Sequence, residues 1–130
     1  MEKVAVRGDW KIFSLPAEHD VLVIDRQYTS EEFCRISVGC IPKGMDDHWF
    51  IFYEDPWLYL HRSWTGLCIF QVRFESVNQG HRVVEVLVNA ELKQWNRCDE
   101  RRNALLATIL LDQCAERDIT VLWQEYASLL

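Results

Sequence analysis

The chain carries DDHWFIFYEDPWLYLHRSWTG at residues 46–66, and this stretch decides the fold. Residues 49–53 are aromatic and β-branched, a composition that favours a β-strand. The Asp-Pro pair at 55–56 is typical of a turn, and residues 57–63 continue with a second strand pattern. The stretch therefore predicts an antiparallel hairpin.

The second strand of this hairpin has two different faces, because successive strand residues point to opposite sides of a sheet. Leu58 and Leu60 predict the face that packs on the core, with Arg62 at the end of the same face. Gly66 can supply positive φ in the turn that follows. The opposite face carries Trp57, Tyr59, His61 and Ser63.

Further strand signals lie on both sides of the hairpin. Residues 67–75 alternate between apolar and polar side chains, as a half-exposed antiparallel strand does. Residues 83–88 are apolar on both faces apart from Glu85, which predicts a central strand. The β-branched run at 21–24 predicts a short buried strand, and residues 4–13 predict a short strand or an extended arm.

Two regions have helical patterns. Thr29 and Glu32 have the spacing of a capping box and predict the start of a helix. That helix would bury Phe33 and Ile36 and end before Pro42, because proline disfavours the α conformation in the residue before it. The second helical pattern runs from residue 99 to about 117, with an apolar face made by Leu105, Leu106, Ile109, Leu110 and Cys114.

The end of the chain is ambiguous, since residues 119–123 fit a final strand and residues 121–130 fit a terminal helix. The predicted fold class is α+β: an antiparallel meander of about four to six strands with a long C-terminal helix packed on one face. The chain has 130 residues and neither a linker nor a repeat, which predicts a single domain, residues 1–130.

Composition narrows the class of protein. A hydrophobic fraction of 49% predicts a packed core, and the net charge of −6 disfavours binding to nucleic acid or to anionic membranes. No apolar run reaches the roughly 20 residues that span a bilayer. An odd number of cysteines without a Cys-x-x-Cys motif predicts buried free thiols in a reducing compartment, hence a cytoplasmic protein. The cysteines are Cys34, Cys40, Cys68, Cys98 and Cys114.

The motifs WFIFYE at 49–54 and LYLHRSWTG at 58–66 together resemble a signature of small uncharacterised bacterial proteins, WFxxYExxxLYxHRSWTG. The resemblance covers roughly residues 41–74, and HRSWTG is its most specific part. It implies no catalytic residue. It associates the chain with systems that handle ADP-ribose or NAD-related compounds.

The HRSWTG hexapeptide at 61–66 is the candidate functional site. Arginine offers a planar fork of donors that matches phosphate, hydroxyl groups can donate to the same oxygens, and a tryptophan face can stack on a base. In the structural alternative, Arg62 pairs with Glu54 across the hairpin and Trp64 closes the edge of the core. The predicted ligand-binding residues are His61, Arg62, Ser63, Trp64, Thr65 and Glu54.

Other reactive side chains have simpler structural interpretations. Glu54 and Asp55 are adjacent strand residues, so their carboxylates point apart. Cys68 follows His61 closely enough for a nucleophile pair, but its strand face is apolar, which predicts an inert buried thiol. The cysteines and histidines lack the spacing of a known metal site, so neither a metal nor a cofactor is predicted.

Two surfaces are candidates for partners. Arg97, Arg101 and Arg102 at the start of the last helix predict a solvated face paired with nearby acids rather than an anion site. Trp57 and Tyr59 would form a dimer face or a docking surface if their side of the hairpin were exposed.

These observations lead to three functional hypotheses. The first is a non-enzymatic module that binds a small phosphorylated or nucleotide-derived ligand, including ADP-ribose or NAD-related compounds, through the HRSWTG turn. The alternative is a protein-interaction module of an immunity or regulatory type, or a homodimer. The third is a small hydrolase or transferase that uses His61 and Glu54. Neither nucleic acid nor a membrane is expected as a partner.

Overall fold

A computed structural model of the chain describes residues 3–96 and 99–130. Within them the fold is α+β, with a six-stranded antiparallel sheet and three α-helices, in agreement with the predicted class and strand number. The predictions for Arg97 and Cys98 lie outside the described residues. The elements are a 3-10 helix Arg7–Asp9, β1 His19–Leu22, β2 Gln27–Thr29, α1 Ser30–Val38, β3 Trp49–Glu54, β4 Trp57–Arg62, β5 Cys68–Val77, β6 Gly80–Asn89, α2 Glu100–Cys114 and α3 Thr120–Ser128.

The sheet has the strand order β1-β6-β5-β4-β3, and β2 also pairs with β6. β2 pairs with the first residues of β6 and β1 with the last, so both lie along the same side of β6. β6 is therefore an interior strand, as its apolar pattern predicted. The β3–β4 hairpin forms the other end of the sheet, where Cys40 adds an isolated bridge to Ile51.

β1 is an edge strand and not the buried strand that was predicted for residues 21–24. Only Leu22 is buried in it, whereas Val21 is 61% exposed and Val23, beyond its end, is 90% exposed. A β-branched composition favours the extended conformation whether or not the strand is covered. Burial depends on which strands and helices lie beside it, and the local sequence does not encode that.

Helix α1 begins with the predicted capping box. Thr29 Oγ1 accepts a hydrogen bond from Glu32 N at 3.2 Å, and Glu32 Oε1 accepts one from Thr29 N at 3.0 Å. Each bond satisfies a backbone donor of the first turn that has no partner within the helix. Phe33 and Ile36 are buried as predicted, and the helix ends at Val38, well before Pro42.

Two helices end the chain. α2 begins after Asp99, whose Oδ1 accepts a hydrogen bond from Arg102 N at 3.1 Å, and it ends at Cys114 rather than near residue 117. The last residues adopt the helical alternative, as α3, and not the strand. None of the helices within residues 3–96 and 99–130 combines the length and the apolar character of a membrane span.

The buried side chains of the hairpin belong to two clusters. Ile51, Leu58 and Leu60 join a large cluster with side chains of β5, β6, α1 and α2. Phe50 and Phe52 form a small cluster with Ala5, against which Trp10, Ile12, Ile41 and Tyr59 pack. Because Phe50 and Phe52 alternate with Ile51 along β3, the two clusters lie on opposite faces of the hairpin.

The N-terminal arm, residues 3–16, covers the face that carries Phe50. The arm contains a 3-10 turn and no strand, so the extended-arm alternative is the one observed. The Trp10 ring stacks on Phe50 at a centroid distance of 5.9 Å and an interplanar angle of 20°. Trp10 Nε1 also donates a hydrogen bond to Ser63 O at 2.9 Å, which links the arm to the HRSWTG turn.

A substitution at Gly66 can test the contact between the arm and the HRSWTG turn. The φ of Gly66 is +76°, and a Cβ there would overlap the carbonyl oxygen of Lys11. Gly66→Ala should lower the free energy of unfolding by about 1–3 kcal/mol or more, because an L-residue is strained at this φ and the arm backbone would have to move. Urea unfolding followed by tryptophan fluorescence measures the change.

Gly44→Ala is the matched control for this substitution, since no atom lies within 4 Å of the position that its Cβ would take. We expect the control to change the free energy of unfolding by less than about 0.5 kcal/mol. Equal losses in the two variants would show that the approach of Lys11 to Gly66 does not matter.

Candidate functional site

The HRSWTG hexapeptide ends β4 and forms the turn into β5, and its side chains point to different sides of the sheet. In the hairpin register His61 lies opposite Phe50, and Arg62 lies opposite Trp49. Opposed residues of an antiparallel pair share a face, so His61 faces the arm and Arg62 faces the large cluster. The structure therefore does not bring these two predicted ligand-binding side chains together.

Ser63 and Trp64 form hydrogen bonds to the loop that precedes β3. Ser63 Oγ donates to Asp47 O at 2.7 Å, and Ser63 N donates to His48 O at 2.9 Å. Trp64 Nε1 donates to Met45 O at 3.1 Å. The Trp64 side chain is 63% exposed, so the prediction that it closes the edge of the core is wrong.

Thr65 and Gly66 complete the turn. Thr65 Oγ1 accepts a hydrogen bond from Leu67 N at 3.3 Å. Gly66 N donates to Arg62 O at 2.8 Å, and Gly66 O accepts from Phe13 N of the arm at 3.0 Å. Most polar groups of the hexapeptide thus form hydrogen bonds that hold the backbone in place. The same residue types also bind ligands, so the sequence alone does not separate this structural role from ligand binding.

Glu54 lies at the other end of the hairpin and pairs with the arm. Arg7 Nη2 lies 2.7 Å from Glu54 Oε1, and Arg7 Nε lies 3.1 Å from Oε2. These hydrogen bonds from Arg7 hold the pKa of Glu54 below its usual range. The predicted Arg62–Glu54 pair is not formed, because Arg62 lies opposite Trp49 and Glu54 opposite Trp57, at opposite ends of the hairpin.

One concavity, which we call the helix-side cleft, lies on the face of the hairpin that carries Trp49. It has a volume of about 420 Å³ and is walled by β3, by the loop that carries Asp47, and by α1 and α2 with the residues that follow them. Trp49 is part of the wall, and the Arg62 guanidinium lies 5.3 Å from the centroid of its ring. The lining residues are Arg35, Gly39, Cys40, Asp47, Trp49, Ile51, Leu110, Gln113, Cys114 and Glu116.

Both signs of charge occur at the rim of the helix-side cleft. Arg35 Nε lies 3.1 Å from Glu116 Oε2 and donates a hydrogen bond to Ala115 O at 3.1 Å. The Arg35 side chain is 40% exposed, so it is open to solvent and to solutes. Asp47 lines the cleft on the side that the HRSWTG turn supports.

A second concavity, the arm-side cavity, lies under the N-terminal arm and holds His61. It measures about 250 Å³ and is lined by Arg7, Ser14, Leu15, Tyr59, His61, Cys68 and Gln71. His61 is 2% exposed, and burial lowers its pKa. Its Nδ1 lies 2.9 Å from Gly66 O, while its buried Nε2 has no hydrogen-bond partner.

The thiols divide between surface and interior. Cys34 and Cys40 are exposed, contrary to the prediction that the cysteines are buried, whereas Cys68 is buried and Cys114 is partly buried. All four are free. Burial raises the pKa of Cys68 to about 12, so its thiol is protonated near neutral pH.

The sequence did not identify the residues of the helix-side cleft. Arg35, Trp49 and Cys114 come from three different elements, and no local motif links them. Asp47, Trp49 and Ile51 lie within the stretch 46–66, but the sequence pattern there predicts only a strand for Trp49 and Ile51. Arg101, predicted on a solvated face, lies 4.0 Å from Glu125 with a side chain that is 65% exposed.

The Arg7–Glu54 pair makes the docking of the arm sensitive to acid. Glu54→Gln should speed hydrogen exchange at the Phe13 amide, because one anchor of the arm is lost. The folded-state pKa of Glu54 is depressed, so its contribution is complete above about pH 4.5 and is lost as the pH falls below that value. We expect an effect of about 1 kcal/mol or less, since the pair is half exposed.

Glu75→Gln is the matched control, because Glu75 and Arg82 form a pair of the same length, 2.7 Å, and similar exposure away from the arm. It should leave exchange at Phe13 unchanged. Similar acceleration in both variants would mean that Arg7 and Glu54 do not anchor the arm.

Comparisons with known proteins add no family to these observations. No family model matches the sequence. No curated protein and no solved structure matches it either. The resemblance carried by the HRSWTG signature remains a prediction.

Proposed function

We propose that this chain is a non-enzymatic binding domain for a small phosphorylated or nucleotide-derived ligand, and that the ligand occupies the helix-side cleft. The observation that carries the proposal is a concavity of about 420 Å³ with aromatic and aliphatic walls, with Arg35 in its lining and Arg62 against the ring of its Trp49. Binding pockets for small molecules usually measure 300–1,000 Å³ and combine apolar walls with a few polar groups.

The two kinds of wall suit the two parts of a nucleotide. Trp49, Ile51 and Leu110 offer apolar surface for a ring. Arg35 and Arg62 offer guanidinium groups, which match phosphate oxygens in geometry and charge. A phosphate would compete with the exposed Glu116 carboxylate for Arg35, an exchange of one anion for another.

The HRSWTG turn has a supporting role in this proposal. Its bonds from Ser63 and Trp64 hold the loop that carries Asp47, and Asp47 forms part of the cleft wall. Arg62 is then the hexapeptide residue nearest to the ligand. We further infer that α2, which contributes Leu110 and Cys114 to the cleft, packs on the face of the sheet that carries Trp49 and Ile51.

The hydrolase hypothesis has less support from the geometry. His61 lies opposite Phe50, whereas Glu54 lies opposite Trp57 and is held by Arg7. These two side chains therefore do not form an acid–base pair.

A thermal-shift series with AMP, ADP and ADP-ribose tests the proposal. At least one of these compounds should raise the melting temperature, and Arg62→Ala should weaken its binding about tenfold, equivalent to about 1.4 kcal/mol. Titration calorimetry on the same proteins measures the affinity. Arg73→Ala is the control, because Arg73 is similarly exposed and pairs with Glu85 on the sheet away from the cleft. No shift with any of the compounds, or the same loss in both variants, would refute the proposal.

A second candidate, a homodimer formed through the sheet edge, is favoured by β1. Val21 in β1 is 61% exposed, and Val23 just beyond the end of this strand is 90% exposed. Within the described residues no strand pairs with the outer side of β1, and a free edge can pair with its copy across a two-fold axis. Trp57 and Tyr59 are half-buried, so the predicted docking surface of the hairpin is less available.

Val21→Lys should abolish such a dimer, because it places a charge within β1, the strand that would pair with its copy. Sedimentation velocity over a series of protein concentrations measures the association. Val4→Lys is the control, since Val4 is also exposed, at 52%, but lies in the arm. A monomer at all concentrations in the unaltered chain would eliminate this candidate.

A further inference from the structure

His61 has the orientation of a metal-binding histidine. Its Nδ1 lies 2.9 Å from Gly66 O, and a carbonyl oxygen only accepts, so Nδ1 must carry the proton. In the neutral ring Nε2 then presents a lone pair, and this atom is buried without a partner. Histidines that bind metals through one ring nitrogen usually donate from the other to a carbonyl or carboxylate, which fixes the ring.

Cys68 lies directly opposite His61 in the β4–β5 register. Side chains opposed in this way share a face, with Cβ atoms about 4.5–5.5 Å apart. Both residues line the arm-side cavity. The imidazole and the thiol therefore border the same cavity, which has the arm on its other side, and Cys68 Sγ donates a hydrogen bond to Phe70 O at 3.5 Å.

We propose that His61 Nε2 and Cys68 Sγ form a two-coordinate site for a soft monovalent metal ion such as Cu(I). Thiolate sulfur is a soft donor that selects Cu(I), and imidazole also suits copper. On binding, the Cys68 S–H bond breaks, its proton leaves to solvent, and a sulfur–metal bond forms without any change of oxidation state. One proton is thus released for each ion bound.

Charge balance favours a monovalent ion over a divalent one. A thiolate, a neutral imidazole and Cu(I) have no net charge together, so burying them costs less than burying an unbalanced ion. Arg7 in the cavity lining is paired with Glu54, and its remaining positive charge favours the thiolate of Cys68. A structural zinc ion takes four protein ligands, and in residues 3–96 and 99–130 no group of three or more His, Cys, Asp or Glu side chains comes together.

The arm-side cavity also has a route to solvent. Tyr59 and Gln71 on its floor are half-buried, and Arg7 and Ser14 on its other side are exposed. The site lies on the opposite face of the sheet from the helix-side cleft. Metal binding here would be separate from nucleotide binding, so failure of one proposal leaves the other standing.

Nitrogen-15 NMR of the unaltered, fully reduced chain gives the first test, with Ag(I) as the probe because it is a soft monovalent ion that is stable in air. We expect the His61 Nε2 resonance to shift strongly while the Nδ1 proton is retained. The titration continues to five equivalents, one for each cysteine in the chain. An Nε2 resonance that is still unshifted at that point would overturn the proposal.

Substitutions then test the pair. Cys68→Ser should abolish the shift of His61 Nε2, whereas Cys114→Ser, which alters a thiol on the other face, should leave it intact. Backbone spectra of both variants report whether they fold. Persistence of the shift in folded Cys68→Ser would also overturn the proposal, because His61 would then bind the ion without the thiol.

Competition with bicinchoninate, a coloured Cu(I) chelator, measures affinity under anaerobic conditions. His61→Gln should weaken the site that contains Cys68 by about tenfold or more. The same experiment in weakly buffered solution should release one proton per ion at that site. Unchanged Cu(I) affinity in folded His61→Gln would contradict the imidazole ligand.

Discussion

Both faces of the β3–β4 hairpin are apolar, so the rest of the chain must bury both of them away from water. Ile51, Leu58 and Leu60 belong to the large apolar cluster, which also contains side chains of α1 and α2, whereas Phe50 and Phe52 pack with Ala5 and Trp10 of the arm. All five hairpin side chains are at most 3% exposed. Full burial of one such side chain stabilises a fold by roughly 1.5–3 kcal/mol, so leaving either face open would be costly.

The two faces of the hairpin are packed by different kinds of interaction. The large cluster consists of many buried apolar side chains, whereas the arm packs Ala5, Trp10 and Ile12 in the small cluster and adds directed interactions. Trp10 stacks and donates a hydrogen bond, Phe13 donates another, and Arg7 forms a forked ion pair. The HRSWTG turn supplies two of the acceptors for the arm, which explains part of its density of polar groups.

Local signals in the sequence were sufficient for the hairpin, the capping box at Thr29 and the central position of β6. Each of these depends on residues that are close in the chain or on the alternation of side chains within one strand. Local signals did not predict three other features: the exposure of Val23, the Arg7–Glu54 pair and the helix-side cleft. Arg7 and Glu54 are 47 positions apart, and many acids in the chain could have paired with that arginine. For the candidate site, the sequence located the hexapeptide, but the division of its side chains between two faces required the strand register.

The arm also imposes an order on folding during synthesis. Residues 5–13 leave the ribosome before the hairpin does, yet their hydrogen-bonding partners extend as far as Gly66. Until that glycine and the turn around it have emerged, Trp10 has neither its ring partner in a sheet nor its acceptor. The arm is made before the hairpin but can dock only after it, and Phe50 and Phe52 stay uncovered in the interval. During this interval Phe50 and Phe52 of the nascent chain would be accessible to chaperones, although the arm that later packs on them has already been synthesised.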